Sequence, residues 1–373
     1  MAKYEDALKA LNPFRVRLQE AVFADVERQP VGMLSAFSTG GASSAFTTPL
    51  TNVHATGVGI RVRHGKIVPN EFVIKVYVFE KLALGDATPT LTKSFDGIEI
   101  DVEALPVQLA AARRASRTHG SSSVRTVSRV APAEPPALAN RGRTRPIPGG
   151  VSISPLGARY VGTLGCFVRG VSAGADQVFA LSNNHVLAGV NSLPTGTVIV
   201  QPGPETAATD SADAFATLSN FIPVQFPANR FERLINRFDA AIARVSDESL
   251  IARGAILGIP NYSSRLGSAV PGMPVTKSGR TTGVTTGVVT ATNVNSVQIN
   301  YGTQANPRIA VFDETIEILG DGRQPFGLPG DSGSAILEKR TGNPIALLFA
   351  GDGHTTTACD LGAVCRQFQV VPA

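Results

Sequence analysis

The chain has no tryptophan, and only 3 cysteines, 3 methionines and 5 histidines among 373 residues. Three thiols cannot all pair within one chain, so a disulfide framework is excluded as the organising device, and buried free thiols are expected at Cys166, Cys359 and Cys365. That usage fits a reducing compartment. No run of 18 apolar residues occurs, which excludes a hydropathic membrane span. The first 30 residues have no apolar core of the secretory kind, because Glu5, Asp6, Lys9 and Arg15 interrupt it. A cytoplasmic protein with no membrane association is the expectation. His54, His64 and His119 stand apart, without a cysteine or carboxylate at ligand spacing, and read as surface polarity rather than metal ligands.

What is present is apolar material and turns. The chain is 43% hydrophobic and 17% charged, with 37 glycines and 25 prolines. That composition supports a sizeable core and argues against long helices. The net charge of +5 is unevenly placed. Between Ala111 and Arg145, eight arginines face a single acid, Glu134, so that stretch carries +7 and the remainder −2. The run has no interleaved aromatics for base stacking, so it reads as a solvated linker and nucleic acid is not an expected partner.

Along the chain, apolar residues from Ala7 to Phe23 recur at a broken helical period over 4–28, with Pro13 placed to kink or divide the helix. Residues 1–50 thus read as a helix and an extended arm. The helix has too little apolar face to stand alone, so packing on the body or on a second copy is expected, and a homo-oligomer is favoured. A small α+β unit spans 51–109. Val58, Ile60 and Val62 alternate with polar or small residues, as do Phe72, Ile74, Val76 and Val78, with a further strand near 98–102. The Arg/Ala/Pro-rich linker covers 110–150. From Gly157 onward, short Val/Ile/Leu/Phe/Thr runs recur every 10–15 residues between Gly, Pro, Asn and Asp. Helical pattern is scarce there, confined to about 231–236. A mostly β class follows, with two six-stranded antiparallel barrels at 151–260 and 261–373.

Three strings carry chemistry. Gly330-Asp331-Ser332-Gly333-Ser334 puts a serine between glycines ahead of a strand. Such a turn exposes the hydroxyl and lets the N–H groups of Gly330 and Ser332 converge on one point. His185 follows Leu181-Ser182-Asn183-Asn184 where an apolar run ends. Asp239 precedes the apolar run Ala240–Ala243, where a carboxylate needs a partner that an imidazole N–H supplies. The order His, Asp, Ser has intervals of 54 and 93 residues. Asp210 and Asp213 are the alternatives for the carboxylate. The order excludes an α/β-hydrolase, which runs Ser, Asp, His.

On these strings, residues 157–370 resemble the chymotrypsin-like, two-barrel serine peptidases. Further strings at 162–166, 182–188, 201–204, 277–283 and 348–351, with weaker ones at 57–62 and 149–153, are similar to a bacterial group related to the plant narrow-leaf protein. The resemblance implies a catalytic triad of His185, Asp239 and Ser332, and an oxyanion hole at the N–H groups of Gly330 and Ser332. It also implies a substrate-pairing strand at Leu348, Phe349, Ala350 and Gly351, with Phe326 at the base of the primary pocket. The activity implied is a metal-free, cofactor-free serine endopeptidase acting on protein or peptide substrates. The alternative is a gated or weakly active scaffold that binds protein partners. No disulfide closes around His185, and no activation cleavage point precedes the first barrel, so Asp331 is expected to hold the 327–330 loop by local hydrogen bonds.

Overall fold

A computed structural model describes residues 2–27, 53–63, 66–79, 93–110, 113–114, 138–171, 177–205, 210–228, 232, 234–303 and 305–373. The extended arm, most of the arginine-rich linker, His64 and His119 lie outside these residues.

Helix α1 (Tyr4–Glu27) runs through Pro13. It buries Ala7, Ala10, Leu11 and Phe14 against Val58, Ile74, Val76 and Ile98 of the strands that follow. The described apolar face of the helix is therefore covered within its own chain by the N-terminal strands, while Tyr4 and Arg15 also bond Thr292 and Asn293 of the second half. The strands are β1 (Val53–Arg63), β2 (Lys66–Val78) and β3 (Ile98–Ala104). β1 and β2 pair antiparallel, and β3 joins β2 in parallel. Two short strands follow, β4 (Gln108–Leu109) and β5 (Arg113–Arg114). His54 is not surface polarity: it stacks on Phe79 with ring centroids 4.1 Å apart and bonds the Leu105 carbonyl at 2.8 Å.

The next strands are β6 (Ser152–Pro155), β7 (Tyr160–Thr163), β8 (Cys166–Gly170) and β9 (Val178–Ser182), followed by the single turn α2 (Asn184–Leu187). After them come β10 (Val198–Val200), β11 (Ala214–Phe221) and β12 (Ala241–Val245). They form a curled antiparallel sheet in the order β8–β9–β12–β11–β10–β6–β7 around Ile153, Phe167, Val186, Ile199 and Phe215.

The second half contains β13 (Pro274–Gly279), β14 (Gly283–Asn295), β15 (Val297–Asn300), β16 (Ile309–Phe312), β17 (Thr315–Gly320), β18 (Ala335–Glu338), β19 (Pro344–Gly351) and β20 (Thr355–Asp360). Six of these close into an antiparallel barrel, β13–β14–β17–β20–β19–β18 and back to β13. The protein is mostly β, as the periodicity predicts. Residues 235–236 pair as a strand beside β16 rather than extending a helix.

β14 is 13 residues long and overruns the barrel. Its far end pairs with β1, so the N-terminal strands continue the sheet of the second barrel. The seam buries Lys75, whose ammonium lies 2.9 Å from Glu103 and 3.4 Å from Glu317. Burial disfavours the ammonium, but the two carboxylates together outweigh it and Lys75 titrates above its ordinary value. All three cysteines are buried and unpaired.

Candidate active site

The register of one strand pair brings the first two site residues together. Ser182 at the end of β9 sits opposite Ala241 at the start of β12. His185 lies three residues beyond that pair and Asp239 two residues before it. Asp239 then takes the imidazole: Nδ1 lies 2.6 Å from Oδ2, and the His185 backbone N–H donates to Oδ1 at 3.1 Å. Asn183 fixes the same loop by donating to the Asp239 carbonyl at 2.6 Å. Asp210 and Asp213 are engaged elsewhere, the first with Ala212 N–H and the second with Arg143.

The carboxylate has a third donor. Tyr301, just past β15, gives its hydroxyl to Asp239 Oδ2 at 2.7 Å, and its ring meets His185 edge-on at 6.0 Å. Burial, and then the Asp239 charge, push the Tyr301 phenol well above its ordinary value, so it stays a donor. Sequence reasoning missed this residue. The only signal was a tyrosine following an apolar strand. One charge-assisted hydrogen bond is worth about 1.5 kcal/mol or more, so Tyr301→Phe should lower kcat by about tenfold and leave KM unchanged. Steady-state kinetics checks this, and an unaltered kcat would remove Tyr301 from the site.

Ser332 sits on the turn between β17 and β18. Gly330 and Gly333 both adopt positive φ, 101° and 94°, as the tight turn requires. At Gly333 the packing forbids anything larger, since a Cβ would lie 2.1 Å from Ser182 Oγ. That contact sets the Ser332 turn against the end of β9, three residues before His185. Thr163 stitches the two halves here. Its N–H donates to the Ser332 carbonyl and its hydroxyl to the Gly330 carbonyl, each at 2.8 Å, while Ser182 Oγ donates to Thr163 O at 2.7 Å.

The N–H groups of the turn divide into two sets. Those of Asp331, Gly333 and Ser334 are bonded to Leu328, Leu348 and Asp331 carbonyls. Those of Gly330 and Ser332 have no partner among the described residues. His185 Nε2 is also buried and unpartnered. The imidazole nitrogen and the two N–H donors are thus unpartnered among the described residues, His185 and Ser332 are both buried, and no hydrogen bond joins Nε2 to Ser332 Oγ in this structure.

Asp331 points away from this face. Its carboxylate accepts from the N–H groups of Thr281, Thr282 and Leu328 and from the Thr282 hydroxyl. Lys277 lies 3.5 Å from it, and both side chains are wholly buried. Burial lowers the Lys277 ammonium below its ordinary value, with the Asp331 charge opposing the shift. The loop before the serine is therefore fixed by an internal cation, beyond the local bonds the sequence suggests.

Beside Ser332 is a cavity of about 30 Å³ lined by Leu109, Gly327, Leu328, Pro329, Leu348, Ala350, Gly351 and Gly353. Phe326 and Phe349 do not line it. Strand alternation turns Phe349 to the opposite face from Leu348 and Ala350, where it packs on Phe312 at 4.8 Å. Phe326 lies in the barrel core with Val275, Val289 and Ile318. Among the described residues no cluster of three or more His, Cys, Asp or Glu is placed to hold a metal ion.

No known family profile and no curated protein sequence match the chain. Solved structures similar to it include Thermobifida fusca protease A, 17% identical over 60% of this chain and 97% of that one, with a TM-score of 0.40. Cellulomonas bogoriensis chymotrypsin is 18% identical over 61% of this chain and 98% of its own, with a TM-score of 0.40. Nocardiopsis protease is 16% identical over 61% and 99%, with a TM-score of 0.41.

Proposed function

We propose that the chain is a serine endopeptidase whose triad is His185, Asp239 and Ser332. The observation that carries the reading is the pair of unpaired N–H groups at Gly330 and Ser332, on a serine turn packed against Ser182 and Thr163, with the Asp239-held imidazole three residues beyond Ser182. Asp239 holds the tautomer with the proton on Nδ1, which leaves Nε2 to accept the serine proton. The hydroxyl attacks a peptide carbonyl, and the resulting oxyanion is received by the two N–H groups. The imidazolium then protonates the leaving amine, and water repeats the sequence on the acyl-enzyme. The likeness to the narrow-leaf-related group and a cytoplasmic location belong to the same proposal.

The cavity sets the substrate class. Its volume is that of a single small group and its lining carries no charge, so alanine-sized or small apolar residues before the scissile bond are favoured. Profiling on a peptide library should show preference for Ala, Val or Ser at that position. A clear preference for Arg, Lys, Asp or Glu would refute the pocket argument. A scaffold without activity would cleave none of the peptides while retaining the fold.

A further inference from the structure

The short strand β4 lies where the sequence reads as the edge of a linker, yet it is built into the catalytic body. Gln108 and Leu109 run parallel to Ile299 and Asn300 of β15, and Leu109 pairs antiparallel with Gly351 at the end of β19. Ala110 donates its N–H to the Asn300 carbonyl at 3.2 Å. β4 thus stands between the strand that leads to Tyr301, the donor to Asp239, and the strand that reaches the cavity beside Ser332.

Its two side chains reverse the usual order of burial. Gln108 is fully buried, while Leu109 beside it is 41% exposed. An exposed leucine alone is ordinary, but a buried amide is costly unless it is bonded. Both ends of this one are. The amide nitrogen donates to Thr355 Oγ1 at 3.0 Å, and the amide oxygen accepts from the Thr357 hydroxyl. Both threonines belong to β20, so the glutamine pins β4 to the second barrel. Strand alternation then sends Leu109 to the opposite face, where it lines the cavity of about 30 Å³ together with Ser332.

The rest of the lining shows which side chain limits that cavity. Its three glycines contribute no side chain, and Ala350 only a methyl group. Leu348 is fixed in the barrel core, behind Gly327, where a Cβ would come within 2.9 Å of Leu348 Cδ1. Leu328 belongs to the loop that the Asp331 carboxylate holds by its N–H. Leu109 is the bulky lining residue supplied from ahead of the peptidase body. We propose that Leu109 sets the upper size of the residue accepted before the scissile bond, so that the N-terminal segment supplies part of the specificity. The inference rests on the serine peptidase reading. A leucine at the rim fills the space that a longer substrate side chain needs. Cutting it back opens the cavity without touching its floor, the triad residues or the two N–H donors.

The test compares full-length wild type, Leu109→Ala and Leu109→Phe on matched peptides with alanine or leucine before the scissile bond. Leu109 is half-exposed, so neither change empties a core position; thermal melts check the fold, and the milder Leu109→Val replaces a variant that fails to fold. The quantity read is the ratio of kcat/KM for the two peptides. Wild type should favour alanine. Leu109→Ala should move the ratio toward leucine by about tenfold or more, the worth of a methylene in an apolar pocket. Leu109→Val should move it the same way by less, and Leu109→Phe the opposite way. An unchanged ratio in folded variants whose Ser332 a fluorophosphonate still labels would overturn the proposal and leave the peptidase reading intact. So would a rise in cleavage of both peptides alike in Leu109→Ala, which would make β4 a plug of the cleft instead of a size filter. A wild-type chain that takes no label and cleaves neither peptide would sink the peptidase reading and this inference with it.

Discussion

Replacing Ser332 by alanine is expected to lower peptide hydrolysis by roughly 10⁶-fold, and His185→Ala by about as much, since the members of a triad act as one unit. Asp239→Asn should cost about 10⁴, because an amide cannot hold the imidazole with its proton on Nδ1. These losses should come without unfolding for Ser332. Its hydroxyl makes no hydrogen bond among the described residues, so removing it leaves no buried partner unsatisfied. Asp239 differs. It accepts from the His185 N–H, the imidazole and Tyr301, so Asp239→Asn should lower the melting temperature as well. Kinetics with a small-residue peptide, beside a thermal melt of each variant, separates the two effects. Wild-type turnover in purified Ser332→Ala would contradict the assignment.

The second large effect is expected at Lys277. Its ammonium and the Asp331 carboxylate are both removed from water. Lys277→Met would leave the carboxylate buried with only its neutral donors, at a cost of about 3–5 kcal/mol. In a domain of this size that corresponds to a fall in melting temperature of roughly 6–20 °C. The damage should also reach the chemistry. Asp331 holds Leu328 N–H on one side and lies between the two free N–H donors on the other. Loosening it moves the oxyanion donors, so kcat should fall while binding of small peptides changes less. Lys277→Arg keeps the charge and should recover part of both losses. A Met variant as stable and active as wild type would show that the four neutral donors suffice.

Much of this was legible because apolar alternation survives wherever a strand has one buried face. The runs at 215–221, 240–245, 273–277, 309–312 and 345–350 all fall on strands. β17 was not legible, because Glu317 interrupts its apolar pattern and the neighbouring Asp313 and Glu314 suggest a loop. The acid is tolerated in the barrel wall because Lys75, 242 residues away in sequence, reaches it across the β1–β14 seam. β20 and the C-terminal helix α3 (Leu361–Phe368) escaped for a related reason. The Thr-Thr-Thr run favours a strand but has no apolar alternation to show it, the glycine in Leu-Gly-Ala weakens the helical signal, and both elements are ordered by packing on β19.

At the site, the Gly330–Ser334 turn and the histidine string are local features and could be read as such. Tyr301 and Lys277 could not, since their roles depend on which carboxylate the fold brings to them. The same holds for Gln108 and Leu109, which look like the end of a small domain until the pairing with Gly351 is seen. Phe326 and Phe349 show the converse case. Each belongs to a segment that lines the cavity, but the alternation of the strand and the turn before Gly327 send both rings into the core.

The most direct test of the central claim is active-site labelling by a fluorophosphonate, followed by peptide mapping of the modified residue. The reagent needs an activated serine and a place for the oxyanion, and it asks nothing about the natural substrate. On this account the phosphonyl group is found on Ser332 of the wild-type protein, and Ser332→Ala and His185→Ala take up none. Labelling of a different serine, or equal labelling of wild type and His185→Ala, would contradict it.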